Sequence, residues 1–216
     1  MSELIGSISA ALQSGKAKVV KELVEQALAE GMSAKVILED GLLAGMDVVA
    51  VKFKNNEVFV PEVLIAARAM NTGTALLKPH LAESGAQPIG KALIGTVKGD
   101  LHDIGKNLVR MMFEGKGIEV VDLGVDVSPE KFVEAYQAEK ADIVALSALL
   151  TTTMAEMKNT VDAFVGAGLR NDVIIMVGGA PVTDSFRESI GADMYTTDAA
   201  SAAEAAKQAI LDRKDE

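Results

Sequence analysis

The apolar positions of this chain follow two rhythms, and the change from one to the other divides it. From Ser2 to about Ser84 the period is helical: Ile5, Ile8 and Leu12 form a stripe that Ser14 and Gly15 end. Val20, Leu23 with Val24, and Ala27 with Leu28 form the next, ended by Gly31. Ser33 is suited to cap a third helix, whose stripe Leu38, Leu42, Met46, Val49 and Phe53 is broken by Asn55 and Asn56. A fourth helix starts near Pro61 and runs through Leu64, Ala67 and Met70 towards Leu77, with Pro79 expected to bend or end it. Four helices with short connections predict a compact bundle.

Glu83 to Gly90, with Ser84, Gly85, Pro88 and Gly90, reads as a linker of small and chain-breaking residues. The boundary falls there, giving a helical domain over 1–89 and a second domain over 90–216. Beyond it, short β-branched runs alternate with helices. Strands are expected at Ala92–Val97, Ile118–Leu123, Ile143–Leu146, Val173–Val177 and Met194–Thr196, and helices at Gly105–Glu114, Pro129–Glu139, Met154–Ala167, Asp184–Ile190 and Ser201–Leu211. Five βα units predict a parallel doubly wound sheet, and the order 2-1-3-4-5 reverses direction between strands one and three. The loops after those strands, Lys98–Gly105 and Ser147–Thr153, would then face each other across the crevice where such sheets bind ligands.

Composition narrows the possibilities. With 216 residues, 49 % of them hydrophobic, the chain can bury an ordinary core. Its longest apolar runs fall well short of the roughly 18 residues of a membrane span, and Met1-Ser2-Glu3-Leu4 offers no secretory leader, so a cytoplasmic protein is expected. A net charge of −10 and a pI near 4.8 repel a phosphate backbone, so nucleic acid is not an expected partner.

The chemistry concentrates in Gly99-Asp-Leu-His-Asp-Ile-Gly-Lys-Asn107, a strand-to-helix turn. It is no P-loop, because five residues separate Gly99 from Gly105 and Asn107 stands where a Mg²⁺-binding hydroxyl belongs. A dinucleotide fingerprint lacks its middle glycine, and the turn is not rich enough in hydroxyls for a flavin phosphate. Two histidines and no cysteine cannot close a structural zinc site. His80, beside Pro79, reads as a surface or hinge residue, and Met46, Met70, Met111 and Met112 as packing. Two readings of the turn stand on spacing alone. Asp100 and His102 either cap the following helix, or they form the carboxylate–imidazole pair of a metal whose remaining ligands come from a macrocycle.

Asp100-x-His102-x-x-Gly105, followed by Ser147-x-Leu149 and Gly178-Gly179, resembles the signature of corrinoid-binding domains in which histidine replaces the cofactor's own base. Gly95 to Asn107 and Val121-Asp-Leu-Gly-Val-Asp-Val127 are similar to the cobalamin module of methionine synthase, and Phe59-Val-Pro61 and Ala66-Ala-Arg-Ala-Met70 to its helical cap. Gly178-Gly-Ala-Pro-Val182 and Ile190-Gly-Ala-Asp193 resemble the small corrinoid proteins of anaerobic methyltransferase systems. The resemblance covers essentially the whole chain. It implies a four-helix cap over a five-stranded, flavodoxin- or Rossmann-like B12-binding domain.

Carried over position by position, the resemblance makes His102 the lower ligand of cobalt in a base-off, histidine-on cobalamin or related corrinoid, Asp100 its hydrogen-bond partner, and Thr153 the hydroxyl continuing from Asp100. Methionine synthase has serine at that last position. Asp103, Ile104, Gly105, Ser147, Leu149, Thr151, Gly178 and Gly179 would bind the cofactor from below, and Phe59 and Leu64 would shield its upper face. The implied function is a methyl carrier, a subunit that is not an enzyme by itself. It would be loaded on cobalt by a substrate-specific methyltransferase and unloaded by a second one to tetrahydrofolate or coenzyme M, with a reductive activase restoring the cobalt. A B12-dependent sensor fits less well because no basic DNA-binding segment precedes the bundle, and an adenosylcobalamin-dependent isomerase subunit because the cap resembles methyl-transfer modules.

Overall fold

The computed structural model describes residues 3–84 and 87–215. The chain separates into two compact units, residues 1–88 with 114–117, and residues 89–113 with 118–216.

The first unit is helical. Helix α1 (Glu3–Gln13) buries Ile5, Ile8 and Leu12, and α2 (Ala17–Ala29) buries Val20, Val24 and Ala27, as the apolar stripes require. Ser33 caps the third helix, its hydroxyl accepting the N–H of Val36 at 3.3 Å. That helix passes from α3 (Ala34–Val36) through a π-helical segment (Ile37–Leu43) into α4 (Ala44–Lys54). The wider turn shifts its inner face, so Ile37, Gly41, Leu42, Gly45 and Met46 are buried while Leu38 and Phe53 are only half-buried. Gly45 lets α4 approach α1 closely, since a Cβ there would lie 3.2 Å from the backbone of Ser9.

Two expectations need correcting in α5 (Val60–Ser84). The helix runs through Pro79 without ending, at the cost of one backbone donor, and residues 78–80 are exposed. Its buried face is Val63, Ala66, Ala67, Met70 and Leu77, which leaves Leu64 at 41 % exposure instead of in the core. The linker is also shorter than expected. Glu83 and Ser84 belong to α5 and Gly90 to the first strand, while residues 85 and 86 lie outside the described residues.

The second unit is a five-stranded parallel sheet of order β2-β1-β3-β4-β5. Its elements alternate as β1 (Gly90–Thr96), α6 (Ile104–Gly115), β2 (Ile118–Asp122), α7 (Pro129–Glu139), β3 (Ile143–Ser147), α8 (Met154–Gly166), β4 (Ile174–Gly178), α9 (Asp184–Ile190), β5 (Met194–Tyr195) and α10 (Ala199–Asp215). Leu93, Val144, Leu146, Ile175 and Val177 pack with Phe132, Met157, Val161 and Phe164. The intervening Ala92, Ile94, Ile143, Ala145 and Met176 are buried too, so the sheet is covered on both faces and its strands read as continuous apolar runs. Tyr136 meets Phe164 edge-on at 5.4 Å and donates its hydroxyl proton to the carbonyl of Asp172 at 2.9 Å.

Register aligns the carboxyl ends. Thr96 pairs with Ser147 and Ser147 with Gly178, so the loops after β1, β3 and β4 emerge side by side. The last two are nearly in contact. The N–H of Ala148 donates to the carbonyl of Gly178 at 3.2 Å, and a Cβ on Gly179, whose φ is +135°, would sit 1.8 Å from the carbonyl oxygen of Ala148. Gly179→Ala should therefore destabilise this unit by ~3 kcal/mol or more. Gly178→Ala, whose Cβ meets nothing within 4 Å, should cost under ~1 kcal/mol. Both tyrosines, Tyr136 and Tyr195, lie in this unit and the chain has no tryptophan, so urea unfolding followed by tyrosine fluorescence reads this unit alone.

Candidate functional site

Beyond β1 the chain is pinned before it reaches the histidine. The N–H of Val97 donates to the carbonyl of Ser147 at 3.0 Å, and the N–H of Asp100 to that of Val97 at 3.1 Å. Gly99 turns with φ +78° and gives its N–H to the Asp126 carboxylate at 2.7 Å, while the N–H of Asp126 returns to the carbonyl of Asp100 at 3.0 Å. Thr96, fully buried, donates its hydroxyl proton to the carbonyl of His102 at 2.9 Å. Asn107 closes the turn, its backbone N–H on the carbonyl of Asp103 at 2.7 Å and its side-chain amide on the Asp103 carboxylate at 3.0 Å.

Asp100 is the centre of this arrangement. Its side chain is fully buried, and both oxygens are taken. Oδ1 accepts the N–H of His102 at 3.0 Å and lies 2.7 Å from His102 Nδ1; Oδ2 accepts the N–H of Leu149 at 2.8 Å, that of Leu150 at 3.3 Å and the Thr153 hydroxyl at 2.7 Å. Burial pushes this carboxyl up. The N–H groups of His102 and Leu149, the Thr153 hydroxyl and the His102 ring outweigh it and hold the group well below the usual carboxylate range. An ionised carboxylate only accepts, so in the neutral imidazole Nδ1 carries the proton and Nε2 the lone pair. The ring is half exposed, and among the described residues Nε2 has no protein partner.

The other expected residues divide into groups. Asp100, His102 and Thr153 are brought into direct contact, and Leu149 joins them through its backbone. Ser147 and Thr151 lie at and beyond the end of β3 with hydroxyls that, among the described residues, make no hydrogen bond. Gly105 and Gly178 have open space where a side chain would be, whereas Gly179 is required by its contact with Ala148. Asp103 is exposed and tied to Asn107. Ile104 is 74 % exposed, as is Leu101 at 71 %, and Leu149 and Leu150 are uncovered beside them. Phe59 and Leu64 belong to the helical unit, where both are exposed, and the N–H of Phe59 is held by the Glu62 carboxylate at 3.0 Å.

Sequence reasoning missed Thr96, Leu150 and Asp126. A threonine ending a strand and a backbone N–H carry no signal of their own, and Asp126 pins Gly99 only because β2 lies beside β1.

The fold and the loop together define an α/β protein that presents a carboxylate-oriented imidazole at the carboxyl edge of its sheet, on loops that also carry exposed apolar side chains. Among the described residues no group of three or more His, Cys, Asp or Glu could hold a metal ion. Two family models, each described as a B12 binding domain, match residues 90–207 and residues 4–78. Dimethylamine corrinoid protein 3 of Methanosarcina acetivorans is 40 % identical over 208 residues, covering 96 % of this chain and 97 % of its own. A corrinoid protein of Desulfitobacterium hafniense is 37 % identical over 210 residues, 96 % and 97 % of the two chains. Among solved structures, a chain of the methanol:cobalamin methyltransferase complex MtaBC from Methanosarcina barkeri superposes with a TM-score of 0.88 at 32 % identity, covering 97 % of this chain and 80 % of that one. The chain belongs to the B12-binding corrinoid proteins of methyltransferase systems. It binds a corrinoid and carries a methyl group on it.

The residues present fit that group. Nε2 of His102 is free to donate its lone pair, Leu101, Ile104, Leu149 and Leu150 offer uncovered apolar surface, and Gly105 and Gly178 have open space where a side chain would be.

Asp100 also sets an acid limit. Its folded-state value lies below the unfolded value near ~4, so its contribution is fully present above about pH 4 and is lost as pH falls below it. Asp100→Asn should cost ~3 kcal/mol near neutral pH and flatten the acid side of the stability curve, measured by urea unfolding with tyrosine fluorescence across pH.

Proposed function

We propose that His102 is the protein ligand to the cobalt of the bound corrinoid, in place of the cofactor's own base. Asp100 orients its ring, and Thr153 continues the hydrogen-bond chain. The observation carrying this reading is the 2.7 Å contact between His102 Nδ1 and the buried Asp100, which leaves Nε2 unpartnered on an apolar rim. When bound, the corrinoid supplies a nucleophilic metal centre that takes up a methyl group and gives it away.

The chain's own residues tune that centre. A ring donating Nδ1–H to a carboxylate is a stronger and better-oriented ligand. Asp100 cannot follow a moving ring, because Leu149 and Leu150 N–H and the Thr153 hydroxyl hold its other oxygen. A change at Nε2 is therefore felt as a change in one short hydrogen bond at Nδ1. Ser147 and Thr151 supply hydroxyls to the cofactor's lower side, Asp103, Ile104 and Leu149 line it, and Gly105 and Gly178 leave room for the nucleotide tail. The resemblance to methyl-transfer caps gives Phe59 and Leu64 the shielding of the upper face.

The partner on the loading side is a substrate-specific methyltransferase drawing on a methylated amine, methanol or a methoxylated aromatic compound. Support comes from relatives named for dimethylamine and trimethylamine and from the methanol:cobalamin methyltransferase complex. A second methyltransferase passing the group to tetrahydrofolate or coenzyme M, a reductive activase, and operation in the cytoplasm complete the reading. None of the quoted relatives is named for gene regulation or rearrangement, which leaves the sensor and isomerase readings without support. No helix among the described residues is long and apolar enough to cross a membrane.

The test is His102→Ala in the full chain reconstituted with hydroxocobalamin. The histidine-ligated spectrum should disappear, and affinity should fall by about 10- to 100-fold. A variant that kept the parent spectrum and affinity would refute the axial role.

A further inference from the structure

The first turn of α6 carries a lysine where electrostatics disfavours one. Lys106 is the third residue of the helix, next to the positive end of its dipole, and its side chain is 2 % exposed. A cation there needs a specific anion, and it has one. Nζ donates to both oxygens of Asp122 at 2.6 Å and to Asn107 Oδ1 at 3.0 Å. Asp122 ends β2, and its carboxylate also accepts the N–H of Gly124 at 2.9 Å and Arg110 at 3.3 Å.

The contacts run from this pair to the histidine along two routes. Asn107, bonded to Lys106, holds Asp103, the residue after His102, through both its backbone and its side chain. Gly124, bonded to Asp122, accepts the Thr96 N–H at 3.0 Å, and the Thr96 hydroxyl donates to the carbonyl of His102. Asp100 fixes the imidazole, and these two routes fix the backbone that carries it.

We propose that Lys106 is a positioning residue whose ion pair with Asp122 sets the height of the His102 backbone above the sheet, and so the strength with which the imidazole holds cobalt. This rests on His102 being the ligand. Neither residue touches the cofactor in the proposed arrangement; both act through Asn107, Gly124 and Thr96.

The test uses the full chain, hydroxocobalamin as the probe, and the variants Lys106→Met and Asp122→Asn, each made with His102 and with His102→Ala. Three quantities are read: corrinoid affinity, the histidine-ligated fraction from the visible spectrum, and, in the cofactor-free protein, the His102 tautomer by ¹⁵N NMR. Lys106→Met should lower affinity by about 10- to 100-fold and deplete the histidine-ligated fraction and the Nδ1–H tautomer, with Asp122→Asn changing them in the same direction. Lys106→Arg, which keeps an ion pair, should recover most of the histidine-ligated fraction. In the His102→Ala background the same changes should shift affinity less than twofold. Equal losses in both backgrounds, or no change in the histidine-ligated fraction, would overturn the proposal. If Lys106→Met does not fold, Asp122→Asn decides by the same criteria. A His102→Ala protein that retains the parent spectrum signals instead that the ligand assignment has failed.

Discussion

The buried carboxylate of Asp100 is the constraint on which the site depends. A charge with no solvent contact is tolerated only when hydrogen bonds replace its hydration, and here they come from two loops: His102 on its own turn, and Leu149, Leu150 and Thr153 on the loop after β3. The two loops belong to strands that the sheet order makes adjacent, with Thr96 and Ser147 in register. The charge thus couples the topology to the orientation of one imidazole. Without it, Leu149 and Leu150 would have unpaired N–H groups, and nothing would select which ring nitrogen carries the proton.

This explains why so much of the second unit was legible in the sequence. Apolar runs between turn residues mark strands whatever the tertiary context, and a parallel sheet of five such runs has few orders open to it. Once the order is 2-1-3-4-5, the loops bearing His102 and Thr153 must face each other. What the sequence hid is carried by atoms that composition does not weight. The Leu149 and Leu150 N–H groups, the Thr96 hydroxyl and the Lys106–Asp122 pair are recognised only when distant segments are brought within 3.3 Å. A lysine in the first turn of a helix, opposed by the dipole, is the one local oddity that could have marked the last of these.

The helical unit was less legible, because a stripe fixes a face only if the helix keeps its pitch. The π-helical segment Ile37–Leu43 breaks that condition, which is why Leu38 lies nearer the surface than its spacing implied. In α5 the same uncertainty placed Leu64 in the core stripe, while Val63 and Ala66 take the buried positions. Pro79 was expected to bend or end the helix, and it does not end it. A proline ends a helix when nothing compensates the lost donor, but on an exposed face water can serve the freed carbonyl, and α5 continues to Ser84.

Thr153 shows why the third member of the chain from His102 is a hydroxyl. It lies 2.7 Å from Asp100 Oδ2 and 2.9 Å from the carbonyl of Leu150, yet it has one proton for the two acceptors. When the charge on Asp100 is high, donation to the carboxylate is favoured. When the imidazole proton moves towards Asp100 and part of that charge is neutralised, the hydroxyl can turn to the carbonyl and lose no hydrogen bond. An alanine would leave Oδ2 short of a donor in every state, and a lysine would stabilise the charged state alone. A hydroxyl with two acceptors follows the carboxylate in either direction, which is the behaviour that the proposed role of His102, binding and releasing a metal, would require. A serine would do the same with one methyl group fewer. The threonine adds a methyl group on the side of Gly99, 3.8 Å from where a Cβ at that position would lie.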